Sequence, residues 1–278
     1  KRSPFRRNCS RILQNLIRIE ANMDLQLQDK VILVSGGAKG IGGAISRGLI
    51  EEGAIPVIID PSEEEGQELL VFAKGKALHL KKRLFSAADA QEVVQATLST
   101  YGRIDGLVNN AGTNDGVGLE KGSPEAFLQS VEKNVGHYYF LAHYALEALK
   151  KSKGVILNIS SKTAVTGQGN TSGYVAAKGA QLALTREWAV ELLPYHIRVN
   201  ALVPAEVYTP MYATWIQSFP NPAEKLEEIS RRVPFQNRMT TASEIANMAL
   251  FLLSEKASHI TGQHIFVDGG YTHLDRAL

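Results

Sequence analysis

A tyrosine and a lysine four residues apart are the first candidates for chemistry in this chain. Tyr174 and Lys178 lie in the stretch "YVAAK", whose small residues are typical of a helix, and residues four apart share one helix face. A tyrosine hydroxyl has a pKa of about 10 in water, which makes it a poor base at neutral pH. A nearby ammonium stabilises the phenolate and lowers that pKa, so the pair could transfer a proton to or from a hydroxyl or carbonyl group. Packing alone would explain the pair equally well.

A glycine-rich turn near residue 40 is a candidate phosphate site. The stretch "VILVSGGAKGIGGAI" places Gly36, Gly40 and Gly42 between an apolar strand and an amphipathic helix. Glycine permits a tight turn and a close approach of the backbone to a pyrophosphate, and the start of the following helix offers free N–H groups. In this strand–turn–helix context the glycines indicate a dinucleotide site, whereas glycines alone would indicate only a turn.

An acidic residue follows the next predicted strand and bears on the choice of dinucleotide. Asp60 lies 18 residues after Gly42, where a carboxylate can bind both hydroxyls of an adenosine ribose and repel a 2′-phosphate. Lys39 in the glycine turn favours NADP instead, because a cation there could bind the 2′-phosphate. We give Asp60 the greater weight and expect NAD. The alternative is that Asp60 only starts the turn that continues with Pro61 and Ser62.

The elements that must position these residues alternate between short apolar runs and helical patterns. Several runs have no polar face, as expected for strands covered on both sides. The predicted strands are Val31–Ser35, Ile55–Asp60, Ala77–Leu80, Ile104–Val108, Val155–Ile159, Arg198–Leu202 and His264–Val267. The predicted helices are Gly40–Glu52, Ser62–Lys74, Asp89–Tyr101, Ser123–Lys150, Gly173–Leu193, Ala223–Arg231 and Ala242–Ser254. This alternation predicts an α/β fold, a doubly wound parallel sheet of Rossmann type with right-handed crossovers.

The chain divides into a basic leader and a single domain. Residues 1–22 carry a net charge of +5, whereas the whole chain carries +2. We expect this leader to be disordered, and to be an upstream extension or one added for expression. A transit peptide, or a short basic amphipathic helix at Arg11–Ile19, is the alternative. Residues 23–278 are the predicted Rossmann-type domain, and its proline-rich segment 203–232 is the predicted substrate lid.

Composition argues against several classes of function. The 278 residues are 44% hydrophobic and 21% charged, which suits a soluble globular protein. Without the leader the net charge is −3, which gives no reason to expect nucleic-acid binding. The single cysteine, Cys9, and the lack of a Cys/His cluster indicate neither an internal disulfide nor a metal site. No apolar run approaches the roughly 20 residues of a transmembrane helix. We therefore expect a cytoplasmic protein that binds no metal, no membrane and no nucleic acid.

Further polar positions follow the glycine turn in a recognisable order. They are Asn109-Asn110-Ala111-Gly112 after the fourth predicted strand, and then Asn134, Ser161, Tyr174 and Lys178. With the glycine turn they resemble the short-chain dehydrogenase/reductase family over about Leu25 to Tyr271. The resemblance implies a Rossmann-type fold, a nicotinamide cofactor and, as is usual in the family, a homotetramer.

The resemblance also assigns roles to individual residues. The implied catalytic residues are Asn134, Ser161, Tyr174 and Lys178. The implied cofactor contacts are Gly36, Lys39, Gly40, Ile41, Gly42, Asp60, Asn110, Ala111, Gly112, Tyr174, Lys178, Pro204, Val207 and Thr209, with Asn109 beside them. Ser161 is preferred over Ser160 because the family places its serine 13 residues before the tyrosine. Asn134 is expected to hold a water near Lys178. Lys178 and the positive nicotinamide are expected to lower the pKa of Tyr174 toward neutrality. Many relatives have an Asp that binds adenine where this chain has Ser86, which puts that contact in doubt.

The residues around the expected substrate pocket are polar. The candidates are Asn114, Asp115, Lys162, Gln168, Glu206, Tyr208 and Trp215. A carboxylate such as Glu206 would be costly against an acyl chain or a steroid and suits a substrate with several hydroxyls. Trp215 could cover the apolar face of a sugar. The alternatives are a solvent-facing Glu206 and a Trp215 that belongs to the core. The predicted substrate contacts are Ser161, Gln168, Tyr174, Glu206 and Trp215.

Two stretches narrow the expected activity. The stretch "PAEVYTPMY" at 204–212 and the C-terminal "FVDGGYTHLDRAL" resemble bacterial L-fucose dehydrogenases of the same family. This implies an NAD-dependent sugar 1-dehydrogenase that oxidises the anomeric carbon of L-fucose, or of a related aldose, to the lactone. One alternative is an NAD(P)H-dependent reductase of 3-oxoacyl thioesters or other carbonyls. A noncatalytic Rossmann protein is another alternative, which the intact set of implied catalytic residues disfavours.

Overall fold

The strands of the chain form one parallel sheet in the computed structural model, which describes residues 23–274. The strands are β1 (Val31–Ser35), β2 (Ile55–Ile59), β3 (Leu78–Leu80), β4 (Gly106–Asn109), β5 (Val155–Ile159), β6 (Arg198–Pro204) and β7 (His264–Val267). Their order in the sheet is β3-β2-β1-β4-β5-β6-β7, and every neighbouring pair is parallel. The predicted doubly wound sheet in a single domain is confirmed, while the leader, residues 1–22, lies outside the described residues.

Helices connect the strands and cover both faces of the sheet. They are α1 (Gly40–Glu51), α2 (Glu63–Phe72), α3 (Ala87–Tyr101), α4 (Pro124–Val131), α5 (His137–Ser152), α6 (Ser172–Glu191), α7 (Pro210–Ile216), α8 (Pro222–Arg231) and α9 (Ala242–Leu253). In the described part of the chain, none of these helices is long and apolar enough to cross a membrane.

The core consists of two apolar layers, one on each side of the sheet. Because side chains alternate along a strand, Ile32 and Val34 of β1 pack toward α1 and α9. Val31 and Leu33 point to the other face and pack with Leu141 of α5 and its neighbours on α3 and α6. Every residue of β1 is buried, which explains why this strand reads as a continuous apolar run.

The sheet order creates a crevice at the carboxyl ends of β1 and β4. The chain winds outward from β1 to β3, then returns to add β4 on the other side of β1. Doubly wound sheets bind their ligands at such a switch point. Ser35 ends β1 and Asn110 directly follows β4. A hydrogen bond joins them there: the Ser35 hydroxyl accepts from the Asn110 backbone N–H at 2.9 Å.

The structure differs from the expected elements mainly in the segment between β4 and β5. The helix predicted over Ser123–Lys150 is interrupted by a π-helical turn at Glu132–Gly136, so it forms two helices, α4 and α5. The lid segment contains α7 in addition to the predicted α8, and the Thr209 hydroxyl caps α7 by accepting from the backbone of Tyr212 at 3.3 Å. Ser86 caps α3 through a capping box with Asp89, so its side chain is already engaged.

Candidate active site

Tyr174 and Lys178 lie one turn apart on α6 and face the crevice end of β5. The Lys178 Nζ atom is 5.4 Å from the centre of the Tyr174 ring. Lys178 is buried, and its ammonium donates to the carbonyl oxygen of Ile159 at 2.8 Å and to Gln181 Oε1 at 3.2 Å. The shared helix face that the spacing predicted is therefore present, and the lysine is held from two sides.

The two serines that end β5 have different partners. The Ser160 hydroxyl is buried and donates to the backbone carbonyl of Lys178 at 2.9 Å, which ties β5 to α6. The Ser161 hydroxyl lies close enough to the Tyr174 side chain to affect its pKa, and it accepts from the backbone N–H of Thr163 at 3.2 Å. Of the two serines, Ser161 is thus the one that stands beside the tyrosine hydroxyl, at the position that the family spacing implies.

Burial moves the pKa values of Tyr174 and Lys178 in opposite directions. It raises the pKa of Tyr174 to about 12, with a smaller opposing effect from the Ser161 hydrogen bond. It lowers the pKa of Lys178 to about 7, because a buried ammonium loses its hydration. The expected lowering of the tyrosine pKa is therefore not produced by these residues: the protein surroundings alone favour the neutral form of both groups.

Asn134 sits in the π-helical turn and is completely engaged by protein groups. Its Oδ1 accepts from the backbone N–H of Thr113 at 2.8 Å, and its Nδ2 donates to the carbonyl of Ser130 at 2.9 Å. Its own backbone carbonyl accepts from Gln181 Nε2 at 2.8 Å. The side chain of Gln181 links the Asn134 backbone to Lys178, because its Oε1 accepts from the lysine ammonium at 3.2 Å. The water expected between Asn134 and Lys178 stays a prediction.

The glycine turn has the shape that a bound pyrophosphate requires. Gly36 and Gly40 have φ angles of 62° and 59°, which favour glycine. A Cβ on Gly42 would lie 2.0 Å from the carbonyl oxygen of Gly36, so this position also excludes larger residues. No side chain caps the start of α1 and no acidic residue lies in its first turn, which leaves its N–H groups to an anion. The Asn110 amide holds the turn to β4 by donating to the carbonyl of Gly36 at 3.1 Å.

Asp60 lies against the glycine turn rather than out in a loop. Its Oδ2 accepts from the Ala38 backbone at 3.3 Å, and its Oδ1 accepts from the Ser62 backbone at 2.8 Å. Its carboxylate thus both starts the next turn, as the alternative held, and borders the predicted ribose site. Lys39 is exposed, with its ammonium 3.5 Å from the Glu65 carboxylate. Lys39, whose positive charge would favour NADP, therefore lies beside a carboxylate.

The segment after β6 meets the glycine turn from across the crevice. A Cβ on Gly40 would lie 3.5 Å from Thr209 Cγ2, so residues 169 apart in sequence face each other there. Pro204 ends β6 and is buried, and buried Val207 pairs with Thr240 in a short parallel bridge. The structure therefore brings Pro204, Val207 and Thr209 to the same side as the glycine turn.

Glu206 is part of a buried ion pair. Its carboxylate binds the ammonium of Lys162, and the exposed fractions of the two side chains are 14% and 10%. The Tyr212 hydroxyl donates to the other carboxylate oxygen at 3.0 Å, and the Lys162 ammonium lies 3.8 Å from the centre of the Tyr271 ring. The alternative of a solvent-facing Glu206 is wrong, because its carboxylate is bound by Lys162 and by Tyr212 and is 14% exposed.

The remaining predicted substrate residues are spread over the rim. Trp215 is 43% exposed and contacts Tyr212 edge-on, with ring centres 5.0 Å apart, so it does not belong to the core. Gln168 and Tyr208 are exposed. Asn114 accepts from Thr171, and Asp115 accepts from Ser130 at 2.7 Å, so both already have protein partners.

The loop after β4 lies close to the lysine. A Cβ on Gly112 would be 3.1 Å from Asn134 Oδ1 and 3.8 Å from Lys178 Nζ. The carbonyl of Ala111 lies 3.1 Å from Nε2 of buried His137. Ile41 packs against the core beneath α1. Glycine at position 112 therefore leaves open the space in front of the lysine.

The sequence interpretation missed two groups around the site. Gln181 and Thr185 continue the α6 face of Tyr174 and Lys178 at helical spacing, which was the available signal. Tyr271 was missed because its contact with Lys162 joins distant segments. Tyr212 was missed because its contact with Glu206 depends on how the chain folds between β6 and α7. Among residues 23–274 there is no group of His, Cys, Asp and Glu side chains that could hold a metal ion.

Known proteins resemble this chain over most of its length. Residues 36–272 match the family model described as Enoyl-(Acyl carrier protein) reductase. The L-fucose dehydrogenase of Bos taurus is 35% identical over 249 residues, which cover 89% of this chain and 91% of that protein. Enzymes of the same name from Rattus norvegicus and Mus musculus are 37% and 36% identical. The expected likeness to L-fucose dehydrogenases is thus found with mammalian rather than bacterial proteins.

Solved structures share the fold. The crystal structure of Cj0485 dehydrogenase is 46% identical, with a TM-score of 0.89, and the match covers 92% of this chain and 99% of that one. Ligand-free aldohexose dehydrogenase from Thermoplasma acidophilum is 29% identical, with a TM-score of 0.82 and coverage of 91% and 97%. The 3-ketoacyl-(acyl-carrier-protein) reductase from Brucella melitensis, complexed with NADH, is 31% identical, with a TM-score of 0.79 and coverage of 89% and 100%. The chain therefore belongs to the short-chain dehydrogenase/reductase family of oxidoreductases, whose members typically bind a nicotinamide cofactor.

Proposed function

We propose that this oxidoreductase uses NAD to oxidise a sugar hydroxyl, the anomeric C1 of L-fucose or a related aldose, to the lactone. The observation that carries the substrate class is the buried ion pair of Lys162 and Glu206 beside Ser161. The relatives named L-fucose dehydrogenase and aldohexose dehydrogenase agree with it.

The ion pair supports a hydroxylated substrate because of where its two residues lie. Lys162 directly follows Ser161, and Glu206 lies two residues after the end of β6, so the pair joins two segments that border the crevice. An acyl chain that covered Lys162 and Glu206 would exclude water from their charged groups and offer no hydrogen bonds in its place. Sugar hydroxyls can both donate to the carboxylate and accept from the ammonium, so they would satisfy such a surface.

Aromatic side chains of the lid segment, 203–232, supply the second half of the proposed sugar site. The ring of Trp215 lies edge-on between Tyr212 and Phe219, at centre distances of 5.0 and 4.9 Å. Because Tyr212 also binds Glu206, the aromatic row is joined directly to the charged pair. Such a combination of an apolar ring and nearby polar groups suits a sugar, which presents a C–H face and hydroxyl edges.

The preference for NAD rests on the charges around the predicted ribose site. Asp60 lies 3.3 Å from the Ala38 backbone of the glycine turn, and the first turn of α2 consists of Glu63, Glu64 and Glu65. A 2′-phosphate placed here would meet Asp60 and these carboxylates, while Lys39 is already close to Glu65. We therefore assign Asp60 to the ribose hydroxyls.

The catalytic roles follow from the contacts around Tyr174. Ser161 holds the substrate oxygen beside the tyrosine hydroxyl, and Tyr174 accepts the hydroxyl proton. NAD bound at the glycine turn would supply the hydride acceptor and a positive charge that favours the phenolate. Lys178, whose Nζ lies 5.4 Å from the centre of the Tyr174 ring, stabilises the same phenolate, and Asn134 supports the lysine from the π-helical turn. In the reverse direction Tyr174 would protonate a carbonyl oxygen.

Exposed apolar side chains support assembly into a homotetramer. Leu128 of α4 and Tyr139 of α5 are more than half exposed, as are Val190 of α6 and Leu193 just beyond it. Large apolar side chains that are exposed on the surface favour contact with another subunit. Sedimentation analysis of the purified chain tests the assembly, and a monomer at micromolar concentration would contradict it.

A substrate panel tests the proposed activity. Reduction of NAD is measured with L-fucose, other aldoses and hydroxysteroids, and oxidation of NADH and NADPH is measured with 3-oxoacyl thioesters. We expect turnover with aldoses and NAD. The second candidate, a 3-oxoacyl reductase, is favoured by the family model and by the reductase from Brucella melitensis. Turnover only with the thioesters or only with steroids would overturn the proposed function.

A further inference from the structure

The side chain of Gln181 bridges two residues of the proposed catalytic set. Gln181 lies on α6, is completely buried, and reaches two elements at once. Its Nε2 donates to the backbone carbonyl of Asn134 at 2.8 Å, and its Oε1 accepts from Lys178 Nζ at 3.2 Å. One amide group therefore spans the distance between the π-helical turn and the lysine.

The partners determine which way the amide points. A backbone carbonyl can only accept, so the NH₂ group of Gln181 must face Asn134. An ammonium can only donate, so the carbonyl oxygen of Gln181 must face Lys178. The reversed amide would place two acceptors together at one end and two donors at the other, and buried groups left unpaired in this way are costly.

Local structure explains why the bridge can form. Residues 174, 178, 181 and 185 follow one face of α6 at helical spacing. A π-helical turn departs from the i→i−4 pattern of hydrogen bonds, and the Asn134 carbonyl within Glu132–Gly136 accepts from the Gln181 side chain. The backbone carbonyl of Gln181 accepts from the Thr185 hydroxyl at 2.7 Å.

We propose that Gln181 is a positioning residue whose amide links the Asn134 backbone to Lys178 and holds the lysine ammonium beside Tyr174. This inference rests on the proposed function of Tyr174 as the proton acceptor. Gln181 acts through Lys178 and does not touch the substrate. It provides a direct protein contact between the same two residues.

The side chains around Lys178 offer no negative charge, so the hydrogen bond from Lys178 to Gln181 affects the protonation of the lysine. Tyr174 lies on the same helix, and His137 and Tyr138 approach from α5, with the Tyr138 ring centre 5.8 Å from Nζ. None of these side chains is an anion at neutral pH: burial lowers the pKa of His137 to about 4 and raises that of Tyr138. The carbonyl oxygens of Gln181 and Ile159 are therefore the acceptors that favour the ammonium.

Titration of the lysine tests the proposal without any substrate. The NMR signal of the lysine Cε is followed against pH in the labelled wild-type protein, in Gln181→Met and in Thr185→Val, and Lys178→Met assigns the signal. Met has a similar length but cannot accept the hydrogen bond. We expect Gln181→Met to lower the pKa of Lys178 by about one unit, because a hydrogen bond to a charged group is lost. Thr185→Val removes two neighbouring buried hydrogen bonds, one to the Gln181 backbone carbonyl and one from Asn158 Nδ2. Neither touches Lys178, so this variant should leave that pKa unchanged.

Two outcomes would overturn the proposal: an unchanged Lys178 pKa in Gln181→Met, or the same shift in Thr185→Val. If Gln181→Met does not fold, Gln181→Glu replaces it and must raise the pKa, because it adds a negative charge; no change would again overturn the proposal. In the active enzyme, a Lys178 that is less often charged would stabilise the Tyr174 phenolate less. The acid limb of the kcat/KM profile for oxidation should therefore move to higher pH in Gln181→Met, but not in Thr185→Val. Failure to oxidise any sugar would reject the proposed function and leave the titration result standing.

Discussion

The ammonium of Lys178 lies 5.4 Å from the centre of the Tyr174 ring, and burial makes the neutral form of each group more favourable. The proposed base and its proposed activator thus lie side by side in a site that disfavours charge. A positive charge delivered next to them would have a large effect on the tyrosine, because the surroundings screen it weakly. Under the proposed function, this arrangement would couple proton removal to the binding of the oxidised cofactor.

The buried lysine makes the stability of the protein depend on pH. Because burial lowers the pKa of Lys178 to about 7, between about pH 7 and pH 10 the unfolded chain binds a proton that the folded chain does not. Stability rises with pH when the unfolded state binds more protons. We therefore expect the free energy of unfolding of the wild type, relative to Lys178→Met, to increase from about pH 7 to about pH 10. Urea denaturation at several pH values measures it, and a constant difference would contradict the assignment.

Replacement of Tyr174 by Phe removes only the hydroxyl and keeps the ring. We expect turnover to fall by about 10² to 10⁴-fold, the usual contribution of a general acid or base. Thermal stabilisation of the protein by NAD should be retained, because the glycine turn and Asp60 are unchanged. Full turnover in Tyr174→Phe would show that another group accepts the proton.

Replacement of Asp60 by Asn tests the choice of cofactor. The Asn side chain keeps the size of the residue and one acceptor oxygen, but it removes the negative charge beside the predicted ribose site. We expect the ratio of kcat/KM for NAD to that for NADP to fall by on the order of tenfold. Glu187→Gln, at an exposed position on α6, is the control. A ratio that is unchanged in Asp60→Asn would remove the argument for NAD.

Replacing each of two helical glycines by alanine should change the free energy of unfolding in opposite directions. A Cβ on Gly42 would lie 2.0 Å from a backbone oxygen, whereas a Cβ on Gly179 would meet nothing within 4 Å. We expect Gly42→Ala to lower the free energy of unfolding by about 1–3 kcal/mol. Gly179→Ala should raise it by about 0.5–1 kcal/mol, because it reduces the conformational freedom of the unfolded chain. Denaturant unfolding measures both, and equal stability of the two variants would contradict the geometry of the turn.

The ion pair of Lys162 and Glu206 should show strong coupling in a double-mutant cycle. Removing one partner leaves a charge that is mostly buried, which costs up to about 3–5 kcal/mol, less here because both side chains keep some exposure. We therefore expect Lys162→Met and Glu206→Leu each to destabilise the protein, and the double variant to be more stable than the sum of the two effects implies. Additive effects would show that the two side chains do not interact in solution.

The sequence was most informative where the backbone has few options. Gly36 and Gly42 were identifiable because a strand, a tight turn and a helix in succession leave little room for a side chain. The strands were also predicted well: β1 and β5 have the expected bounds, and β6 is longer by two residues. Apolar runs that are buried on both faces produce a strong pattern regardless of tertiary detail.

Contacts between distant segments could not be predicted in the same way. The π-helical turn at Asn134 depends on Gln181 and Thr113, which lie on other elements. The surroundings of Glu206 depend on Lys162 and Tyr212, which bind its carboxylate from the segment after β5 and from α7. The sequence showed that positions 134 and 206 are polar, but the partners of these side chains are determined by tertiary packing.

Deuterium transfer from the sugar tests the central claim most directly. The purified protein is incubated with NAD and with L-fucose, or the most active aldose of the panel, that carries deuterium at C1. We predict that the deuterium appears in the reduced cofactor, that the product is the lactone, and that turnover is slower than with the unlabelled sugar when hydride transfer limits the rate. Turnover that yields unlabelled NADH would place the oxidation at another carbon. The absence of any turnover with aldoses would contradict the account of this protein as a sugar dehydrogenase.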